Sequence, residues 1–266
     1  MTALLGGKTA VIYGGGGAIG GATARVFARE GARVFLAGRT RAKLEAVAND
    51  IVAAGGRAQT AVVDVFDERA VEAHFADVAR SGPPHILFNA IGIPHVQGQT
   101  FLETTVAEFV DPIAATARAQ FIPARAAARH MGAHGGGVIL TLTTPGGRLA
   151  GKGFLANGVF SAATEAFSRL LAAELGGNGI RVVCLRPDAI PDAVAASGAR
   201  EVFEGVSKRV GIPVHEMLAQ RGRTATLLGR LPRLAEVAEC AAFAASERAG
   251  AMTGAILNLT CGSLTD

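Results

Sequence analysis

The strongest chemical signal in the chain is seven residues long: Gly14-Gly15-Gly16-Gly17-Ala18-Ile19-Gly20, set between the β-branched pair Val11-Ile12 and an apolar-periodic stretch holding Ala22, Val26, Phe27 and Ala32. Glycines at such a turn let the backbone approach a pyrophosphate, and the free N–H groups and positive dipole end of the following helix point at it. Gly31 closes that helix before a second apolar run, Val34-Phe35-Leu36. Strand, glycine turn, helix and strand in this order specify a dinucleotide cradle rather than a glycine-rich surface loop. A metal is not expected. His130 and His134 have the spacing to share a helix face, but Gly132 and Gly135-Gly136-Gly137 end the helix there, and no carboxylate or cysteine completes a ligand set. No Ser-His-acid order with a nucleophile elbow occurs either.

A cradle of this kind needs parallel strands behind it. Apolar runs at 57–65 (RAQTAVVDV), 86–92, 138–143, 180–185 and 255–260 read as five further strands, and 107–131 and 160–175 as long helices. The strand-then-helix rhythm specifies an α/β chain: a Rossmann-type, doubly wound parallel sheet in three αβα layers, one domain over 1–266. With 266 residues, 50% of them hydrophobic, and no long linker, the chain can bury one sizeable core. The formal charge of +4 is small and reads as spread along the chain without a Lys/Arg block. No Trp and one Tyr leave no aromatic set for base stacking, so nucleic acid is excluded as a partner. Cys184, Cys240 and Cys261, odd in number and in apolar surroundings, predict buried thiols in a reducing compartment. Residues 1–15 run straight into the first strand and leave no room for a signal peptide, and Gly and charge interrupt every apolar run before it could span a membrane. A cytoplasmic protein with no membrane partner is expected. The helices at 107–131 and 160–175 are rich in Ala and Leu on more than one side, which predicts a second apolar partner and a homo-oligomer.

The turn has a particular spacing. Gly14, three residues, then Ala18-Ile19-Gly20 resembles the TGxxxGIG loop of the short-chain dehydrogenase/reductase family, with Tyr13 in place of Thr and Ala18 in place of Gly. The likeness continues nearly end to end. Asp64-Val65 matches the family's adenine-contact position, Asn89-Ala90-Ile91-Gly92 resembles its NNAG motif, and the segment at about 191–232 stands where the family covers its substrate. The resemblance implies a nicotinamide dinucleotide held by Gly14, Gly16, Gly17, Ile19, Gly20, Asp64, Val65, Asn89, Ala90, Ile91 and Ile190. NAD-using members usually carry an acid at the end of the second strand, where this chain has Gly38 followed by Arg39. A guanidinium suits a 2′-phosphate and no acid repels it, so NADP(H) is the expected cofactor. The other role open to Arg39 is a solvated strand-end charge. The family also implies a tetramer or dimer built on two-fold axes through the two long helices.

At the chemistry the chain departs from the family. A standard member uses a Tyr-x-x-x-Lys pair on the long helix. The Tyr passes a proton to or from the carbonyl oxygen, and the Lys lowers its pKa and holds the nicotinamide ribose. A Ser polarises the carbonyl and an Asn anchors a relay water. Phe160-Ser161-Ala162-Ala163-Thr164 stands at that segment, so Phe160 takes the Tyr position and Thr164 the Lys position. Thr116 takes the Asn position, and Thr144, or Thr143 one residue before, takes that of the Ser. A phenyl ring donates no proton and a threonine supplies no cation.

Three residues are candidates to replace the lost groups. Thr144 would hydrogen-bond a carbonyl, or cap its strand end. His95, on the loop the family places by the substrate, would supply a proton near neutral pH, or simply be solvated. Asp188, where the family usually has Gly, would set a carboxylate on the nicotinamide side to stabilise an iminium, or cap the following turn. Asp192 falls where a Thr often contacts the carboxamide. Lys152 and Glu165 are weaker substitutes, the one read as an exposed lysine, the other about 100° around the helix from Thr164. The expectation is an atypical NADP(H)-dependent oxidoreductase that reduces a carbonyl-, enone- or imine-type small molecule, the cofactor carrying the hydride. Two other classes stay open: a catalytically silent nucleotide-binding homologue acting as partner or sensor, and a non-redox cyclase or isomerase. The nearly complete cofactor half favours the first two readings over the last.

Overall fold

A computed structural model describes residues 3–194 and 197–265. Seven strands, β1 (Thr9–Tyr13), β2 (Arg33–Gly38), β3 (Arg57–Val62), β4 (Ile86–Asn89), β5 (Gly137–Leu142), β6 (Ile180–Pro187) and β7 (Ala255–Leu259), form one sheet in the order β3-β2-β1-β4-β5-β6-β7. Every neighbouring pair is parallel. Helices α1 (Ala18–Arg29), α2 (Arg41–Ala53) and α9 (Leu234–Ala245) cover one face, and α3 (Glu68–Arg80), α4 (Val106–Gly132) and α5 (Leu155–Leu175) the other. A strand covered on both faces must be apolar throughout, and TAVIY in β1 and ILFN in β4 are buried at every residue. Strand order reverses between β1 and β4, so the C-terminal ends of those two strands open a crevice.

Several element boundaries differ from the sequence reading, among them the fourth strand, which ends at Asn89 rather than residue 92. The third strand ends at Val62 rather than residue 65, because the Asp64 carboxylate accepts from the Phe66 N–H and the Asp67 N–H donates to the Asp64 carbonyl, turning the chain toward α3. β6 runs on to Pro187. Helix α5 begins at Leu155, five residues before the expected start, and therefore takes in Asn157. The expected cover at 191–232 folds into α6 (Pro191–Val194), α7 (Ala199–Val210) and α8 (Val214–Ala225); its residues Ala195 and Ala196 lie outside the described residues.

Outward from the core, α4 exposes Val106, Val110 and Phe121, and α5 exposes Leu155, Val159 and Leu170. Among the described residues no helix is long and apolar enough to cross a membrane. The three cysteines are free; Cys184 is fully buried, which pushes its thiol up to about 11, and Cys240 and Cys261 are half-buried.

Candidate active site

The glycine turn is built for close approach. Gly14 has a φ of +76, and a Cβ there would lie 2.5 Å from the Ala90 carbonyl oxygen. A Cβ on Gly20 would fall well inside contact distance of the Gly14 carbonyl oxygen, so turn and helix close on each other only when both are glycine. Ala18 causes no strain, since Cys261 alone among described non-glycine residues has a positive φ. Gly17 caps α1 without a side-chain hydrogen bond and no acid stands in the first turn, which leaves the first N–H groups of the helix for an anion. Shape and donors together fit a dinucleotide pyrophosphate.

The other expected cofactor residues surround this turn. Gly16 abuts Lys43, and Ile19 packs with Ile190, Ala193 and Val237. Arg39 is exposed at the end of β2 and makes no ion pair among the described residues. Asp64 is exposed and Val65 buried beside it. Ala90 and Ile91 are half-buried at the mouth of the crevice. The Asn89 amide is spent inside the protein, donating to the Ala119 carbonyl at 2.6 Å and to Gln120 Oε1 at 3.2 Å, and so ties β4 to α4.

A chain of polar side chains lies at the ends of β4 and β5. Thr144 Oγ1 donates to Asn157 Oδ1 at 3.1 Å, lies 2.8 Å from Ser161 Oγ, and accepts from the Gly146 N–H. A Cβ on Gly147 would lie 2.6 Å from the Ala162 nitrogen, so this glycine turn is what lets the strand end reach α5. Thr143 is buried and donates to the Ser161 carbonyl, so the half-buried Thr144 is the threonine that meets the crevice. Asn157 Nδ2 stands 3.4 Å from His95 Nε2, and Gln97 Nε2 stands 2.8 Å from the same atom.

His95 Nδ1 lies 2.8 Å from the Ile93 carbonyl oxygen, which can only accept, so Nδ1 carries the proton and Nε2 is an acceptor. Burial pulls the imidazole below the usual histidine range, and the Ile93 carbonyl offsets only part of that. His95 is therefore a neutral acceptor at neutral pH, which corrects its expected role as proton donor. Its ring meets Phe160 edge-on, with centroids 5.0 Å apart.

Asp188 also differs from expectation. Arg221 of α8 grips it in bidentate fashion, Nε to Oδ1 and Nη2 to Oδ2 at 3.0 Å each, Ser263 Oγ donates to it, and the Ala189 N–H bonds Oδ1. A carboxylate with its acceptor positions filled in this way bolts α8 of the cover segment (the lid) to the loop after β6; it is not held ready for an iminium. Asp192 accepts the Leu234 N–H and so caps α9. Glu165 is buried in an ion pair with Arg186 at 3.1 Å, Lys152 is exposed, and His130 rests on Glu72. Among the described residues no group of three possible ligands could hold a metal.

The Thr164 hydroxyl bonds back to the Phe160 carbonyl, and the buried Thr116 hydroxyl has no hydrogen-bond partner among the described residues. Both line one cavity of about 660 Å³ between α4 and α5. Ser161, Gln97 and above all Asn157 were not singled out in the sequence. The signal available for Asn157 was its i,i+4 spacing to Ser161, obscured by the turn-like Asn157-Gly158 pair.

A family model described as Enoyl-(Acyl carrier protein) reductase matches residues 16–263. The galactitol 2-dehydrogenase (L-tagatose-forming) of Cereibacter sphaeroides is 32% identical over 95% of this chain and 93% of its own. An NADPH-dependent aldehyde reductase-like protein, chloroplastic, of Arabidopsis thaliana is 31% identical over 70% of this chain and 73% of its own. Among solved structures, a dehydrogenase/reductase from Sinorhizobium meliloti 1021 superposes with a TM-score of 0.83 at 29% identity, covering 99% of this chain and 98% of the other.

Proposed function

The chain belongs to the short-chain dehydrogenase/reductase family, whose members here are oxidoreductases, and from that premise we propose that it is an NADP(H)-dependent reductase of a small carbonyl-, enone- or imine-type compound that works without a Tyr/Lys acid pair. One juxtaposition carries this reading: the glycine cradle at the end of β1 and the Thr144–Asn157–His95 chain at the ends of β4 and β5 open on the same edge of a parallel sheet. NADP(H), when bound, supplies or takes the hydride. The first turn of α1, with Gly14, Gly17 and Gly20, would hold its pyrophosphate, and Arg39 its 2′-phosphate.

On the substrate side, Thr144 offers the proton of the cluster. Asn157 Oδ1 takes that proton in the resting arrangement, and a substrate oxygen at the crevice competes for it. Neutral His95 accepts from the Asn157 amide, which keeps Oδ1 turned toward Thr144 and fixes the direction of the chain. Such a site stabilises developing negative charge by hydrogen bonding but has no strong acid. It suits carbonyl substrates that are already activated, a conjugated enone above all, whose oxygen gathers enolate charge that the Thr144 hydroxyl can answer by hydrogen bonding.

The direct test is NADPH consumption against simple ketones, conjugated enones and preformed cyclic iminium compounds. Turnover should concentrate in the activated classes. Thr144→Val and Asn157→Leu should each lower kcat/KM by about tenfold to a hundredfold with NADPH affinity unchanged. Full NADPH binding with no turnover of any class would move the protein to the silent nucleotide-binding alternative.

Cofactor choice is tested separately. NADPH should bind about tenfold to a hundredfold more tightly than NADH, the worth of one charge-assisted pair. Arg39→Ala should erase the preference, and Gly38→Asp should reverse it by setting an acid against the 2′-phosphate. Equal affinities in the wild type would overturn the assignment.

The apolar residues exposed along α4 and α5 support a homo-oligomer, a dimer or tetramer, with these helices at a two-fold interface. Sedimentation at micromolar concentration should give a dimer or larger, and Phe121→Glu with Leu170→Glu should shift it toward monomer. A monomeric wild type would sink this proposal.

A further inference from the structure

The positive charge of the chain is concentrated in the lid. Over residues 191–233, the cover segment and the arginine that follows it, stand seven Lys/Arg and four Asp/Glu, an excess of three in a chain of +4. The lid helices fold part of this excess around a cavity of about 740 Å³. Its floor is apolar: Val194, Leu218 and Leu231 are buried together there. On its flanks Arg200 pairs with Glu204 and Arg230 with Glu236, so those charges are answered. Arg223 and Arg233 also line the cavity, and neither makes an ion pair among the described residues; His215 lines it too. Thr144, His95 and Phe160 do not line it.

We propose that this cavity is a second binding site, and that its ligand is an amphiphilic organic anion: an aliphatic chain lying on Val194, Leu218 and Leu231, with a carboxylate or phosphate monoester on Arg223 and Arg233. The two halves of the wall select for both halves of such a molecule. A neutral apolar compound makes no use of the two exposed guanidinium groups, and a bare inorganic anion leaves the apolar floor in water. The volume lies in the range of small-molecule sites. Occupancy also reaches the catalytic side of the protein. The cavity is lined by Gly222 and Arg223, and the residue before them, Arg221, is bolted to Asp188, so a ligand that braces α8 braces the loop after β6 as well. The site lies outside the catalytic reading and does not rest on it.

Calorimetric titration of the full chain with octanoate, octyl phosphate, 1-octanol and inorganic phosphate tests this. Octanoate or octyl phosphate should bind about tenfold more tightly than both 1-octanol and inorganic phosphate, and the tighter of the two identifies the head group. Hydrogen exchange should slow across 197–233 on binding. The double variant Arg223→Gln, Arg233→Gln, both exposed positions, should lose about tenfold in affinity while its NADPH affinity and melting temperature stay those of the wild type. Equal binding of 1-octanol, unchanged binding by the double variant, or no heat with any of the four probes overturns the proposal.

Discussion

Gly20→Val is expected to weaken NADPH binding by about tenfold to a hundredfold, the equivalent of the 1–3 kcal/mol that overpacking a close contact costs. The obstruction is backbone: a Cβ at residue 20 lands on the Gly14 carbonyl oxygen, and no rotamer change relieves it. To make room, the turn must lift away from α1, and the uncapped N–H groups of the first helical turn then no longer converge on one anion. Gly38→Ala is the matched control. A Cβ there meets only Leu44 Cδ2 at 3.5 Å, an ordinary contact, so its NADPH affinity should stay within about twofold of wild type. Fluorescence titration with NADPH measures both variants, and thermal melting separates lost binding from lost fold. A folded Gly20→Val variant that binds as the wild type does would place the cofactor elsewhere.

The cradle was legible in the sequence because its requirement is local. A turn that admits no Cβ must be written in glycine, and a strand buried on both faces must be written as an unbroken apolar run; Gly14, Gly20 and TAVIY satisfy both without reference to the rest of the chain. The polar chain at the crevice was only half legible, because its members come from separate elements. Thr144 was found from its place at a strand end. Asn157 was hidden, since Asn-Gly reads as a turn, and only the additional turn of α5 sets it four residues before Ser161 on the buried face.

Asp188 and His95 were found as residues and misjudged as chemistry. What Asp188 does is decided by Arg221, 33 residues away, and which nitrogen of His95 bears the proton is decided by a single carbonyl on its own loop. Neither partner is marked in the sequence near the group it controls. The cover segment shows the same limitation in its charges: of seven cations scattered over a stretch of mixed composition, Arg200, Arg223, Arg230 and Arg233 come to line one cavity only in the folded chain.

The second large effect is expected from building a Tyr-x-x-x-Lys pair at Phe160 and Thr164, the positions that the family resemblance assigns to it. Phe160→Tyr alone should give little reduction of simple ketones, because a phenol with no cation beside it keeps a pKa near 10 and is a poor acid at neutral pH. Thr164→Lys alone adds a cation with no hydroxyl to tune. The double variant should gain about a hundredfold over the wild type on simple ketones, the low end of what a positioned general acid contributes, and the gain should be strongly non-additive. The structure bears on whether the lysine can be housed. Thr164 is buried, so a charge there without room would cost several kcal/mol. It lines the roughly 660 Å³ cavity between α4 and α5, so the aliphatic stem has space, but neither Phe160 nor Thr144 lines that cavity, and the gain requires the ammonium to turn back along α5 toward residue 160. The Tyr hydroxyl would extend from a ring already held edge-on by His95. Steady-state NADPH oxidation by the two single variants, the double variant and the wild type completes the cycle. A wild type that reduces simple ketones robustly, with Phe160→Ala and Thr144→Val matching its rate, would mean that the reacting carbonyl never sits between these residues.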